Sequence, residues 1–121
     1  AIEDGHLVAI EPGICREAGF NWPVAVTREV WDQYVQWPQG HKSLPQDEDG
    51  RLWDVLWMCR SAIRDPSLRV RTLSEQALVY QLYVVPFTGH GKCPRLTYLK
   101  LVCGPGDDAE PVVTIMLPEQ D

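Results

Sequence analysis

The sequence is short of positive charge. Its 11 lysines and arginines face 17 aspartates and glutamates, a formal net charge of −6. Direct binding to a nucleic-acid backbone needs clustered basic side chains that displace counterions, so this balance argues against it. It disfavours an anionic membrane surface for the same reason. Long apolar runs are missing too: none approaches the ~18 residues that span a bilayer, and no secretory leader pattern is visible. There is no G-x-S-x-G elbow, no P-loop and no G-x-G-x-x-G cradle, which removes the best-marked routes to nucleophilic and phosphate chemistry. Internal repeats, low-complexity stretches and linkers are also lacking. The chain begins at Ala1 rather than Met, and the expectation is that upstream residues have been trimmed or left out.

What is present describes an ordinary globular chain. The 121 residues argue for a single domain over residues 1–121, and 45% hydrophobic with 23% charged residues is typical of a soluble protein. A domain of this size buries roughly two-thirds of its unfolded surface, enough for one core without staples or metals. The four cysteines, Cys15, Cys59, Cys93 and Cys103, permit two disulfides in three pairings. Cys59 falls in an apolar helical pattern and Cys103 ends an apolar strand, where a free thiol behaves as a small hydrophobe. Reduced thiols in a cytoplasmic protein are therefore expected.

The strongest local signal is a hairpin. Leu96–Cys103 and Val112–Leu117 flank the turn Gly104-Pro105-Gly106-Asp107-Asp108-Ala109-Glu110-Pro111. With Leu78–Val85 this predicts a three-stranded antiparallel meander at the C-terminus. On the middle strand, Leu99, Leu101 and Cys103 would face the core, and Tyr98 and Lys100 the outside. Upstream, His6–Ile10 reads as a short strand. A helix from Pro12 would end at Gly19 as the C′ residue. Val24–Val26 is a brief extended run, and Thr27 suits the N-cap of a second helix through Val30, Trp31, Tyr34 and Val35. A third helix, about Arg51 to Arg64, carries the stripe Leu52, Leu56, Cys59 and Ile63, widened by Trp53 and Trp57. Arg60 and Arg64 fall in its last turns, where positive charge is favourable. Trp31, Trp53 and Trp57 are expected between helix and sheet. Ser67–Gln76 is ambiguous between an edge strand and a helical turn. The fold expected is thus α+β: about three helices packed on the C-terminal three-stranded antiparallel meander, plus a short N-terminal strand.

Several blocks look familiar as a set: Ala1-Ile2-Glu3-Asp4-Gly5, Arg16-Glu17-Ala18-Gly19-Phe20, Pro23-Val24-Ala25-Val26-Thr27, Gly50-Arg51-Leu52-Trp53-Asp54-Val55-Leu56-Trp57 and Cys103-Gly104-Pro105-Gly106-Asp107-Asp108. Together they resemble a family of small bacterial proteins of unknown function carried on plasmids, integrated elements and phages. The resemblance runs along nearly the whole chain and carries no activity, cofactor or catalytic residue. It implies a cytoplasmic protein serving a mobile element.

Candidate sites are few. His90-Gly91-Lys92-Cys93, with Cys103, offers at most three zinc ligands in one weak spacing, and a Cys93–His90 dyad has no orienting carboxylate nearby. Asp107, Asp108 and Glu110 lack the regular calcium-loop spacing and are what a solvated turn favours. No metal, cofactor or catalytic residue is expected. Trp22 and Trp37 each adjoin a Pro in a turn, where complete burial is disfavoured, and part-exposed Trp is enriched at interaction hot spots. The expected function is non-catalytic binding of another protein, with Asp107, Asp108, Glu110, Trp22 and Trp37 as the contact surface and homo-oligomerisation possible through a sheet edge. Two alternatives stay open. One is an anti-defence inhibitor of restriction or CRISPR systems from a mobile element, and the other a cysteine- or metal-dependent enzyme using the His90–Cys93 loop.

Overall fold

Val24-Ala25-Val26-Thr27 is buried along its whole length, with Val26 and Thr27 fully enclosed. A four-residue segment closed to solvent on both faces has to find a strand on either side. In the computed structural model, which describes residues 7–35, 48–84, 95–105 and 111–120, it does. Strand β2 (Val24–Thr27) pairs antiparallel with β1 (Leu7–Ala9) and parallel with β6 (Pro111–Met116), Val24 opposite Val113 and Val26 opposite Ile115. Beyond β6 follow β5 (Arg95–Pro105), β4 (Ala77–Val84) and β3 (Arg69–Ser74), each antiparallel to its neighbour. The result is one six-stranded mixed sheet in the order β1-β2-β6-β5-β4-β3.

This corrects the expected architecture. The chain is not three helices on a three-stranded antiparallel meander: the short N-terminal strand and Val24–Thr27 belong to one mixed sheet with the C-terminal strands. The extended run at Val24–Val26 is legible, but its parallel partner β6 lies near the other end of the chain, beyond any local pattern. The ambiguous segment resolves into a short 3₁₀ turn, Pro66–Leu68, and then edge strand β3. Asp65 caps that turn by accepting from the Ser67 amide (3.0 Å) and hydroxyl (2.7 Å), contacts that hold its carboxyl below the usual range.

The helices cover one face of the sheet. Helix α1 (Pro12–Glu17) starts on a proline at its first turn and ends in a Schellman motif. There the Gly19 N–H donates to the Arg16 carbonyl (3.0 Å) and the Phe20 N–H to that of Cys15 (2.8 Å), with Gly19 at φ 97°. Thr27 N-caps the short α2 (Arg28–Val30), which runs on as a π-helical turn over Trp31–Val35. Helix α3 (Glu48–Arg64) is the long one. Its buried stripe is Leu52, Val55, Leu56, Cys59 and Ala62, turned slightly from the expected one. Ile63 and Trp57 are exposed instead, at 38% and 40%. Ala62 lets the helix approach closely, and the tryptophans find partners on the helix surface rather than in the core. Arg51 is buried at the start of α3, where its Nε donates to the Val35 carbonyl (3.2 Å). Burial pulls its pKa down and raises that of Asp54, each opposed by the other's charge.

The sheet contributes Tyr80, Leu99, Leu101, Val113 and Ile115 to the same core. Tyr80 is fully buried, and its hydroxyl donates to the Val55 carbonyl (3.2 Å). Burial raises the Tyr80 phenol and the neighbouring Cys59 thiol well above their ordinary ranges. Both groups stay neutral in the folded state, whereas in the unfolded chain the thiol ionises from about pH 8.5 and the phenol from about pH 10. The unfolded state then holds fewer protons, so the contribution of these two groups to stability is complete below about pH 8.5 and falls above it, by up to about 1.4 kcal/mol per pH unit for each group. Urea unfolding between pH 8 and 11 is expected to show this loss. The double variant Cys59→Ala/Tyr80→Phe should show a shallower decline, and an equal slope would rule out these two groups as its source.

On the opposite face, Tyr83, Leu96 and Tyr98 are exposed, while Lys100 is covered at 9%. The expectation that Lys100 points outward holds for its face but not for its exposure, because the C-terminal segment crosses it. The Lys100 ammonium donates to the Gln120 carbonyl. The Gln120 side chain accepts from Thr27 Oγ1 (2.9 Å) and the Leu117 N–H (2.9 Å), and donates to Glu29 (3.0 Å). No helix among the described residues is long and apolar enough to cross a membrane.

Candidate functional site

The end of α1, the C-terminal end of α3, the β3–β4 turn and the base of the β5–β6 hairpin enclose a cleft of about 930 Å³. The Schellman motif shapes one wall. It turns the chain sharply after α1, seating Phe20 in the core and leaving Trp22 49% exposed at the rim. Gly19 has no room for a side chain, since a Cβ there would overlap the Arg60 side chain. Arg60 Nε donates to the Gly19 carbonyl (3.2 Å), which fastens the turn to α3.

The facing wall is α3 itself. Trp53 and Trp57 stack with ring centroids 5.1 Å apart and planes 8° from parallel. The Arg60 guanidinium lies 5.8 Å from the Trp57 ring, a cation–π contact that continues the ladder toward the cleft. Arg64 follows one turn later, and Arg69 enters from the start of β3. Three of the chain's 11 basic residues therefore meet here. Glu75 in the β3–β4 turn adds a carboxylate, and Leu78, Leu101 and Val113 form the apolar floor.

Cys103 also lines the cleft as a half-buried free thiol, its amide donating to the Gln76 carbonyl (2.8 Å). Cys15 and Cys59 are free and buried, and burial raises the Cys15 thiol as well.

Of the residues singled out in the sequence, Trp22 stands on the rim. Gly104 and Pro111, which bracket the acidic turn, line the same cleft. Trp37, Asp107, Asp108, Glu110, His90 and Cys93 lie outside the described residues. Among the described residues no group of three or more His, Cys, Asp or Glu is placed to hold a metal ion. The arginines are what sequence reasoning missed. In the sequence Arg60 and Arg64 read as residues that suit the helix dipole, and Arg69 as part of the ambiguous Ser67–Gln76 segment. Their signal was a Trp57-Arg60-Arg64 spacing that repeats on one helical face in a chain poor in basic residues.

No curated protein and no solved structure matches the chain. Its whole length, residues 1–121, matches the Family of unknown function (DUF6573), and the chain belongs to that family.

Proposed function

We propose that this protein is a non-catalytic binding module that acts by holding another protein at the cleft. The observation that carries this reading is Trp22: a tryptophan half-exposed on the rim of a preformed concavity, on a turn fixed from both sides, is the type of residue that anchors interfaces. Gly104 and Pro111 border the same opening, and in the sequence Asp107, Asp108 and Glu110 fall between them.

The test is an affinity capture from a bacterial lysate with three baits: the wild type, Trp22→Ala, and Asp107→Asn/Asp108→Asn/Glu110→Gln. A protein retained by the wild type and reduced at least ~10-fold on the Trp22→Ala bait is the expected result, as hot-spot truncations cost 2 kcal/mol or more. Loss on the acidic variant as well would extend the surface along the hairpin. Equal capture by all three baits would remove the cleft from the reading. A nucleic-acid-handling complex as the captured partner would favour an inhibitory, anti-defence role, checked by whether expression protects a phage from restriction or CRISPR systems.

A further inference from the structure

Within the contact surface proposed above, on which this step rests, we infer that the cleft receives an acidic side chain carried on an apolar segment of the partner. The argument begins with the end of α3. A helix C-terminus leaves carbonyls without partners, and basic residues nearby usually serve them. Here Arg69 serves two of them: its Nε donates to the Ala62 carbonyl (2.7 Å) and its Nη2 to that of Ile63 (2.8 Å), while the Asp65 amide takes the Ser61 carbonyl (2.9 Å). Neither Arg60 nor Arg64 donates a hydrogen bond to these carbonyls, so their N–H groups are not used by the helix end.

Arg60 commits its Nε to Gly19, and its terminal nitrogens make no hydrogen bond among the described residues. Arg64 is exposed and makes none there either. Two guanidiniums one helical turn apart line the same cleft, and the planar donor fork of a guanidinium binds a carboxylate in two-point fashion. Glu75 offsets only part of this charge. The rest of the chain carries a net negative charge, so a carboxylate is repelled elsewhere and drawn to this opening. A polyanion such as a nucleic acid would meet that repulsion along its whole length. A single acidic residue set between apolar neighbours meets it least. Exposed Trp22 and Ile63, at 49% and 38%, flank the arginines and offer apolar contact for those neighbours.

The experiment uses capped five-residue peptides carrying a neutral dye, with apolar residues around a central Glu, and a matched pool with Gln in its place. Binding is read by fluorescence anisotropy against the folded wild type, Arg64→Gln, Arg60→Gln/Arg64→Gln and Trp22→Ala. Arg64→Gln alters an exposed side chain outside the core, so it keeps the test readable if the double variant fails to fold. The wild type is expected to bind the Glu pool ~10-fold or more tighter than the Gln pool, in the range of charge-assisted hydrogen bonds. That preference should shrink in Arg64→Gln, shrink further in the double variant, and weaken with added salt. Equal binding of both pools to the wild type, with loss of both in Trp22→Ala, would overturn the acidic specificity and leave the binding module standing. A Glu preference unchanged in both arginine variants would also overturn the assignment. Failure of both pools to bind the wild type would overturn both readings together.

Discussion

Leu56→Ala is expected to lower the free energy of unfolding by about 2–5 kcal/mol. Leu56 is fully buried in the α3 stripe and belongs to the same core as Leu52, Val55 and Cys59 of the helix and Tyr80 and Leu99 of the sheet. The cost combines lost transfer free energy with the cavity left behind, because helix and sheet are both too constrained to close the gap. Domains of this kind are stable by only ~5–15 kcal/mol in total, so the change removes a large share. A denaturant midpoint that drops strongly with an unchanged slope is the predicted signature. A shift below about 1 kcal/mol would mean that α3 does not press on the sheet as described.

Gly19→Ala is the second large effect and differs in kind. It creates no cavity. It places a side chain at φ 97°, where non-glycine residues are strained by about 1–3 kcal/mol, and drives a Cβ into Arg60. The displaced guanidinium loses its bond to the Gly19 carbonyl and its place over Trp57. Both a lower melting temperature and altered tryptophan fluorescence are expected. Gly104→Ala is the control, since a Cβ at that position meets no atom within 4 Å. Comparable losses at the two glycines would show that the Arg60 packing is not the cause.

Much of the local structure was legible because its causes are local. Pro12 and Gly19 mark the ends of α1 by what their backbones permit, and Thr27 marks the start of α2 by its hydroxyl. The hairpin is visible because alternation and turn residues coincide over adjacent strands. The sheet as a whole was not legible. Whether Val24–Thr27 joins β6 depends on pairing across most of the chain, and β3 hides behind an exposed, bulged edge. The position of Trp57 was misread because a tryptophan at helical spacing fits a core or a stacked surface ladder equally well in one dimension. The cleft was half legible. Trp22 announced itself through its proline neighbour, but the arginines acquire meaning only once Arg69 is seen to satisfy the helix end.

The order of the strands bears on when this protein can fold at all. Of the six, β6 is the last to be synthesised, yet it sits between β2 and β5. Until it arrives, the β1–β2 pair has no sheet to join, and one edge of β5 is open. A nascent chain can assemble β3, β4 and β5 as they emerge, but its N-terminal third must wait. Joining the two halves is then a single late event, closed by Gln120 as it reaches Thr27 and Glu29. Ribosome-stalled chains ending before Pro111 should therefore leave residues 7–27 open to proteases, while chains extended past Gln120 protect them.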